Sequence, residues 1–330
     1  MTTEESQVEA GDGLSPEIEA ARELADELRR SVEGALIARA EIIDLALLAL
    51  FCRGHVLIED VPGIGKTTLA RALASALGCT FRRIQSTPDL MPSDLLGVNV
   101  FNQKSGDFEF MPGPVFSQVL LCDEINRATP RTQAALLEAM QEGQTTIDGV
   151  TMSLPEPFLV LATQNPIEME GTFPLPEAQL DRFFLLVKLG YPSQDDESEM
   201  LARFGTGLRG AEAAQVANPE RLKAAQEAVA VVRVDEAVRG YVVAVTASTR
   251  EHGDLALGAS PRASLSLMRA SQARAVMEGR DYVVPDDVKA LATPVLAHRL
   301  VLTSTARLRS ATAEGVVKDV LASVPVPIEK

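Results

Sequence analysis

A chain of 330 residues, 46% apolar and 23% charged, has the material for a sizeable core and for two domains. Its formal net charge of −15 works against binding a polyanion, and residues 1–27 hold nine acidic side chains against only Arg22. No apolar run approaches the ~20 residues a membrane helix requires, since Asp44 interrupts the best candidate, Ile42–Phe51. Cys52, Cys79 and Cys122 lack metal-ligand spacing and suit buried thiols in a reducing compartment. The acidic start, without the basic and apolar segments of a signal peptide, adds to the expectation of a cytoplasmic protein.

Residues 1–15, polar and acidic, are expected to be disordered. The spacing of Ile18, Leu24 and Leu28 predicts an amphipathic helix from Pro16 to about Arg30, and Ala40–Leu50 reads as a more buried one. The apolar strand His55-Val56-Leu57-Ile58 then leads into Asp60-Val61-Pro62-Gly63-Ile64-Gly65-Lys66-Thr67-Thr68 and a helix from Thr67 to about Leu77. Strand, glycine-bearing loop and helix in this order suit a nucleoside triphosphate. The glycines let successive N–H groups turn toward phosphate oxygens, and the helix directs its positive dipole end at the anion. Lys66 is expected to reach the β- and γ-phosphates and the Thr67 hydroxyl to ligate Mg2+. The full pattern G-x-x-x-x-G-K-T departs at Asp60, where it has glycine.

Phe81–Ile84 reads as a strand. Two β-hairpins follow: Val98–Phe101 with Phe108–Phe110 around Lys104–Asp107, and Thr145–Ile147 with Val150–Met152 around the turn-forming dipeptide Asp148-Gly149. Between them Leu120-Leu121-Cys122-Asp123-Glu124 is a buried apolar strand ending in two carboxylates, and Thr132–Met140 is helical. Asp123 suits the metal, directly or through its water, and Glu124 the polarising of an attacking water. Alone, the pair would serve as helix-capping residues; after a phosphate-binding loop the metal reading prevails.

Phe158–Thr163 is a further strand with Gln164-Asn165 at its polar end. Asn165 is placed to contact the γ-phosphate or orient the water, or else is a turn residue before Pro166. In amphipathic Glu177–Phe184, Arg182 stands beside Asp181. It forms either a solvated salt bridge or an arginine reaching a neighbouring subunit's nucleotide, a device worth about 10³–10⁵ in rate. From about Pro192 the chain turns Ala/Val-rich, with helices expected over Glu197–Arg203, Pro219–Ala230, Asp235–Arg250, Arg262–Met277, Pro285–Ala297 and Thr312–Ala322. Phe204–Asn218 reads as a flexible link or a solvated helix. Arg262, behind Ser260-Pro261, is either a cation sensing phosphate or a surface arginine. The expected organisation is a disordered 1–15, an α/β nucleotide-binding core over 16–191 and an all-helical lid over 192–330.

The runs Asp123-Glu124-Ile125-Asn126-Arg127-Ala128, Gln133-x-Ala135-Leu136-Leu137-Glu138-Ala139-Met140-Gln141-Glu142, Ala162-Thr163-Gln164-Asn165-Pro166 and Leu175-Pro176-Glu177-Ala178-Gln179-Leu180-Asp181-Arg182-Phe183 closely resemble the MoxR family of AAA+ ATPases. The resemblance covers roughly residues 18 to 325. It implies an α/β P-loop NTPase core with a parallel sheet and inserted β-hairpins, plus a C-terminal helical lid. It implies ATP and Mg2+ as cofactors, a Walker A at Asp60–Thr67 (members commonly lack glycine where Asp60 stands) and a Walker B at Asp123-Glu124. Sensor 1 is then Asn165, sensor 2 Arg262, and Arg182 the arginine finger of a homo-hexameric ring. The hairpins match a helix-2 insert and a pre-sensor insert, which face the pore or the partner in related machines. Phe101, Phe108 and Phe110 are accordingly either contact residues or packing within the hairpin. Family members act like chaperones with von Willebrand factor A domain proteins, in metal insertion or complex maturation.

These readings converge on Mg2+-dependent ATP hydrolysis that moves a lid against a core and remodels a protein client. The rivals are a metabolic kinase, a DNA-acting or magnesium-chelatase-like motor, and a nucleotide-gated assembly switch. A kinase needs no Arg182 and no hairpins. DNA is disfavoured by the net acidity and by hairpins that hold only Lys104 between them. The intact Glu124 disfavours a mere switch.

Overall fold

A computed structural model of the chain describes residues 14–37, 40–59, 65–165, 171–191, 193–204 and 212–327. Two helices open it, α1 (Pro16–Ala35) and α2 (Ala40–Phe51), followed by strand β1 (Val56–Glu59), helix α3 (Lys66–Leu77) and strand β2 (Phe81–Gln85). Next come α4 (Pro92–Leu96), the hairpin β3 (Gly97–Asn102) and β4 (Asp107–Pro112), β5 (Val119–Asp123), α5 (Pro130–Glu142) and the second hairpin β6 (Gln144–Ile147) and β7 (Val150–Ser153). Strand β8 (Leu159–Gln164), a single turn α6 (Glu177–Leu180) and β9 (Leu185–Val187) complete the sheet. The helical half holds α7 (Gln194–Phe204), α8 (Pro219–Ala230), α9 (Glu236–Glu251), β10 (Leu255–Leu257), α10 (Pro261–Met277), α11 (Pro285–Leu296), β11 (Val301–Leu302), α12 (Ser304–Leu308) and α13 (Ala313–Ser323).

Five strands form one sheet in the order β2-β5-β8-β1-β9, and every pairing is parallel. The central strands β1, β5 and β8 are almost wholly buried, which is why their sequences are continuous apolar runs rather than alternating ones. The register sets Gln85 opposite Asp123, and Glu59 opposite Gln164, so the polar residues ending four strands share one edge. Phe184 N–H donates to His55 O (2.8 Å), fixing the entry to β9.

Local chemistry explains most helix starts. Ser15, Thr129, Asn218 and Ser260 each accept a first-turn N–H ahead of a helix that begins with proline. Ser15 therefore belongs to α1, and Leu14 packs on the core, where disorder is expected from the sequence. One apolar core runs from α1, α2 and α3 through β1 and β9 into α8, α10 and α11.

Three other expectations change. Of Phe204–Asn218, residues 205–211 lie outside the described residues, and 212–218 are not helical. Val216 and Ala217 N–H groups both donate to Ala76 O, and Ala213 and Ala217 are buried while Glu212, Ala214, Gln215 and Asn218 are exposed. Ala213 and Ala217 join the apolar core, whereas Gly205, Gly207 and Gly210 lie outside the described residues. The helical half also carries an antiparallel ribbon of β10 and β11. The hairpin aromatics are both packed and exposed. Phe101 and Phe108 stack edge to face at 5.4 Å yet remain 51% and 70% exposed, whereas Phe110 stacks on Phe116.

Candidate nucleotide site

β5 delivers Asp123 to the carboxyl edge of the sheet, where the backbone turns sharply. Glu124 adopts a left-handed conformation (φ 54°, ψ 50°), unusual without glycine, that is held by two hydrogen bonds. Its N–H donates to Thr163 Oγ1 (2.9 Å), and its carbonyl accepts from Arg127 N–H (2.8 Å). The Thr163 hydroxyl in turn donates to Asp123 Oδ1 (3.3 Å), so β8 aligns both carboxylates.

Each carboxylate has a basic or amide partner. Arg83 Nε lies 2.6 Å from Asp123 Oδ2. Gln85 Nε2 donates to Glu124 Oε2 (2.8 Å), and Arg127 Nε lies 3.2 Å from the same oxygen. Cys122, beside Asp123, is buried, and desolvation pushes its thiol up to about 12.

Gly65 precedes α3 with φ 92°, a left-handed geometry that suits glycine as the chain enters the helix. Lys66 and Thr67 then occupy the first turn of α3, both partly buried, with Thr68 exposed. Asp60, Val61, Pro62, Gly63 and Ile64 lie outside the described residues. Asn165 sits one residue beyond β8, between β1 and β5, and is 8% exposed. Asp123, Glu124 and Asn165 thus share one sheet edge, on which β1 also ends at Glu59.

Asp181 does not pair with Arg182. Its carboxylate takes Arg299 Nε (2.7 Å) and the Ser260 hydroxyl (3.1 Å), both from the helical half. The Arg182 guanidinium makes no hydrogen bond or ion pair among the described residues. Arg262 is exposed in the first turn of α10, two residues after Ser260. Sequence reasoning missed Arg83, Gln85, Thr163 and Arg299. The first three follow only from the strand order, and Arg299 belongs to no motif.

The donors fit magnesium. Asp123, Thr67 and Thr163 offer hard oxygens, and no group of three or more His, Cys, Asp or Glu side chains forms a cage among the described residues. That set suits an ion which keeps waters and phosphate oxygens as further ligands. A separate cavity of about 580 Å³ lies at the opposite end of the strands, lined by Gly54, His55, Met140 and Phe158, and is remote from this chemistry.

Residues 55–185 match the ATPase family associated with various cellular activities (AAA), and residues 247–320 match the AAA lid domain. Chaperone MoxR1 of Mycobacterium tuberculosis is 42% identical over 325 residues, covering 96% of this chain and 85% of that protein. The chain belongs to the MoxR family of AAA+ ATPases. The uncharacterized protein YeaC of Bacillus subtilis (strain 168) is 46% identical over 299 residues, 91% of this chain and 93% of that one. The crystal structure of a proposed ATPase from Cytophaga hutchinsonii ATCC 33406 superposes with a TM-score of 0.89 at 36% identity, covering 94% of this chain and 97% of its own. This MoxR-family fold is an α/β P-loop core with a parallel sheet, inserted hairpins and a helical lid. Among the described residues, no helix is long and apolar enough to cross a membrane.

Proposed function

We propose that the protein hydrolyses ATP with Mg2+ and uses the motion of its lid (192–330) against its core (16–191) to remodel a protein client. One observation carries this reading. Asp123, Glu124 and Asn165 meet at the sheet edge beside the first turn of α3, while Ser260, two residues before Arg262, reaches across to Asp181.

In this reading the loop Asp60–Thr68 wraps the phosphates, Lys66 neutralises the β- and γ-oxygens, and Thr67 with Asp123 would hold Mg2+. The bound ion supplies charge neutralisation on the phosphate oxygens. Glu124 accepts a proton from the attacking water, which Asn165 orients. Arg262 from the same subunit and Arg182 from a neighbour stabilise charge on the transferring group. Acting between subunits requires an assembly, for which a homo-hexamer is the natural form. The exposed Phe101 and Phe108 suit contact with a client or a von Willebrand factor A domain partner. Metal insertion or complex maturation in the cytoplasm is the task such a machine fits.

Glu124→Gln tests the chemistry. It should bind ATP within a few-fold of wild type and lose about 10²–10⁴ in turnover. Near-normal turnover overturns the assignment of Glu124 as base.

A further inference from the structure

The segment that carries Arg182 is tied down on both sides by its own subunit. On the N-terminal side, Phe173 N–H donates to Asn126 O (2.6 Å), and Gln133 Nε2 donates to Phe173 O (2.8 Å) and Ile125 O (3.1 Å). Ile125 and Asn126 follow directly on Glu124, and Gln133 lies on α5. On the C-terminal side the grip belongs to the lid. Arg299 sends Nε to Asp181 Oδ1 (2.7 Å), Nη2 to Phe183 O (2.7 Å) and Nη1 to Phe184 O (3.2 Å) and to Val295 O. His298 Nε2 donates to the same Phe183 carbonyl (3.1 Å), and Ser260 donates to Asp181.

Arg299 is only 5% exposed, although a buried guanidinium is costly unless its donors are met. Here the planar fork spans one carboxylate and three carbonyls, which a lysine cannot do. The groups it holds flank Arg182 on either side in sequence, and the Arg182 guanidinium makes no hydrogen bond or ion pair among the described residues. Arg299 ends the 3-10 turn Ala297–Arg299 that continues from α11, Ser260 caps α10, and α10 packs on α11, so a displaced lid displaces Asp181.

We propose that Asp181 and Arg299 form a positioning joint through which the lid of one subunit sets where that subunit's Arg182 is presented. This rests on the reading of Arg182 as a group that acts on a neighbour's nucleotide. Under it, closure of a lid over its own nucleotide is felt at the next site round the ring. Rings of Asp181→Asn, which keeps the shape and an acceptor for Ser260, should lose about tenfold in kcat while the KM for ATP moves less than about twofold.

Mixed assemblies separate this from a structural effect. Glu124→Gln subunits hydrolyse poorly but keep an intact joint and finger. Adding them should raise turnover per Asp181→Asn subunit, and likewise per Arg182→Ala subunit. Rescue of Arg182→Ala without rescue of Asp181→Asn means that Asp181 serves its own pocket, which overturns the joint and leaves the trans finger standing. Rescue of neither overturns the trans finger, and the joint with it. Arg299→Lys is the second variant and should follow the same pattern; wild-type turnover in both variants also overturns the proposal.

Discussion

Gln85 Nε2 donates to Glu124 Oε2 across 2.8 Å, linking the last residue of an edge strand to the carboxylate assigned as the general base. Arg127 approaches the same oxygen, so a Glu124 that turns toward water must share or release two donors. Gln85→Leu removes one of them. A hydrogen bond to a charged group is worth about 1.5 kcal/mol net, so client-free turnover should rise about tenfold. Steady-state ATPase rates check this. A fall of that size would show that Gln85 holds Glu124 in its working orientation instead.

Arg83 competes for the other carboxylate. Its Nε sits 2.6 Å from Asp123 Oδ2, but its side chain is half exposed, so solvent screens the pair to about 1 kcal/mol at most. Arg83→Met should accordingly lower the Mg2+ concentration for half-maximal turnover by about two- to fivefold. The difference should shrink as ionic strength rises. A magnesium titration at fixed ATP decides it, and an unchanged midpoint would mean that Arg83 does not hinder access to Asp123.

What the sequence made legible is what chemistry confines to a short stretch. The Asp148-Gly149 hairpin is an example: both residues have positive φ (50° and 82°), as a type I′ turn demands, and the dipeptide announces it. The apolar run before Asp123 announces a buried strand in the same way. The joint between lid and core left no such trace, since Asp181 and Arg299 stand 118 residues apart and neither spacing nor polarity links them. Strand β9 was hidden for a related reason. Its three residues follow the amphipathic stretch Glu177–Phe184, of which only Glu177–Leu180 is helical, because the Phe184 N–H that would return to Leu180 O donates to His55 O instead. Gln85 became a partner of Glu124 only through the strand order, which no local pattern encodes.

His55 offers a stability test far from the nucleotide. It is buried just before β1, where Val160 N–H donates to its Nδ1 (3.0 Å) and its Nε2 donates to Met140 O (3.0 Å). Accepting at Nδ1 fixes the neutral tautomer, and a second ring proton would face the Val160 N–H. Burial pushes the imidazole down to about 4 from its ordinary 6.5. Because the folded value is the lower one, the unfolded chain takes up the proton first as pH falls. The contribution of neutral His55 is therefore complete above pH 6.5 and is lost between there and about pH 4. The displacement corresponds to about 3 kcal/mol, most of it gone by about pH 4.5. Denaturant unfolding at pH 7.5 and 4.5 should show wild type losing about 2 kcal/mol more than His55→Gln, which has no imidazole to titrate. Equal losses in the two proteins would mean that the ring is not held neutral by its surroundings.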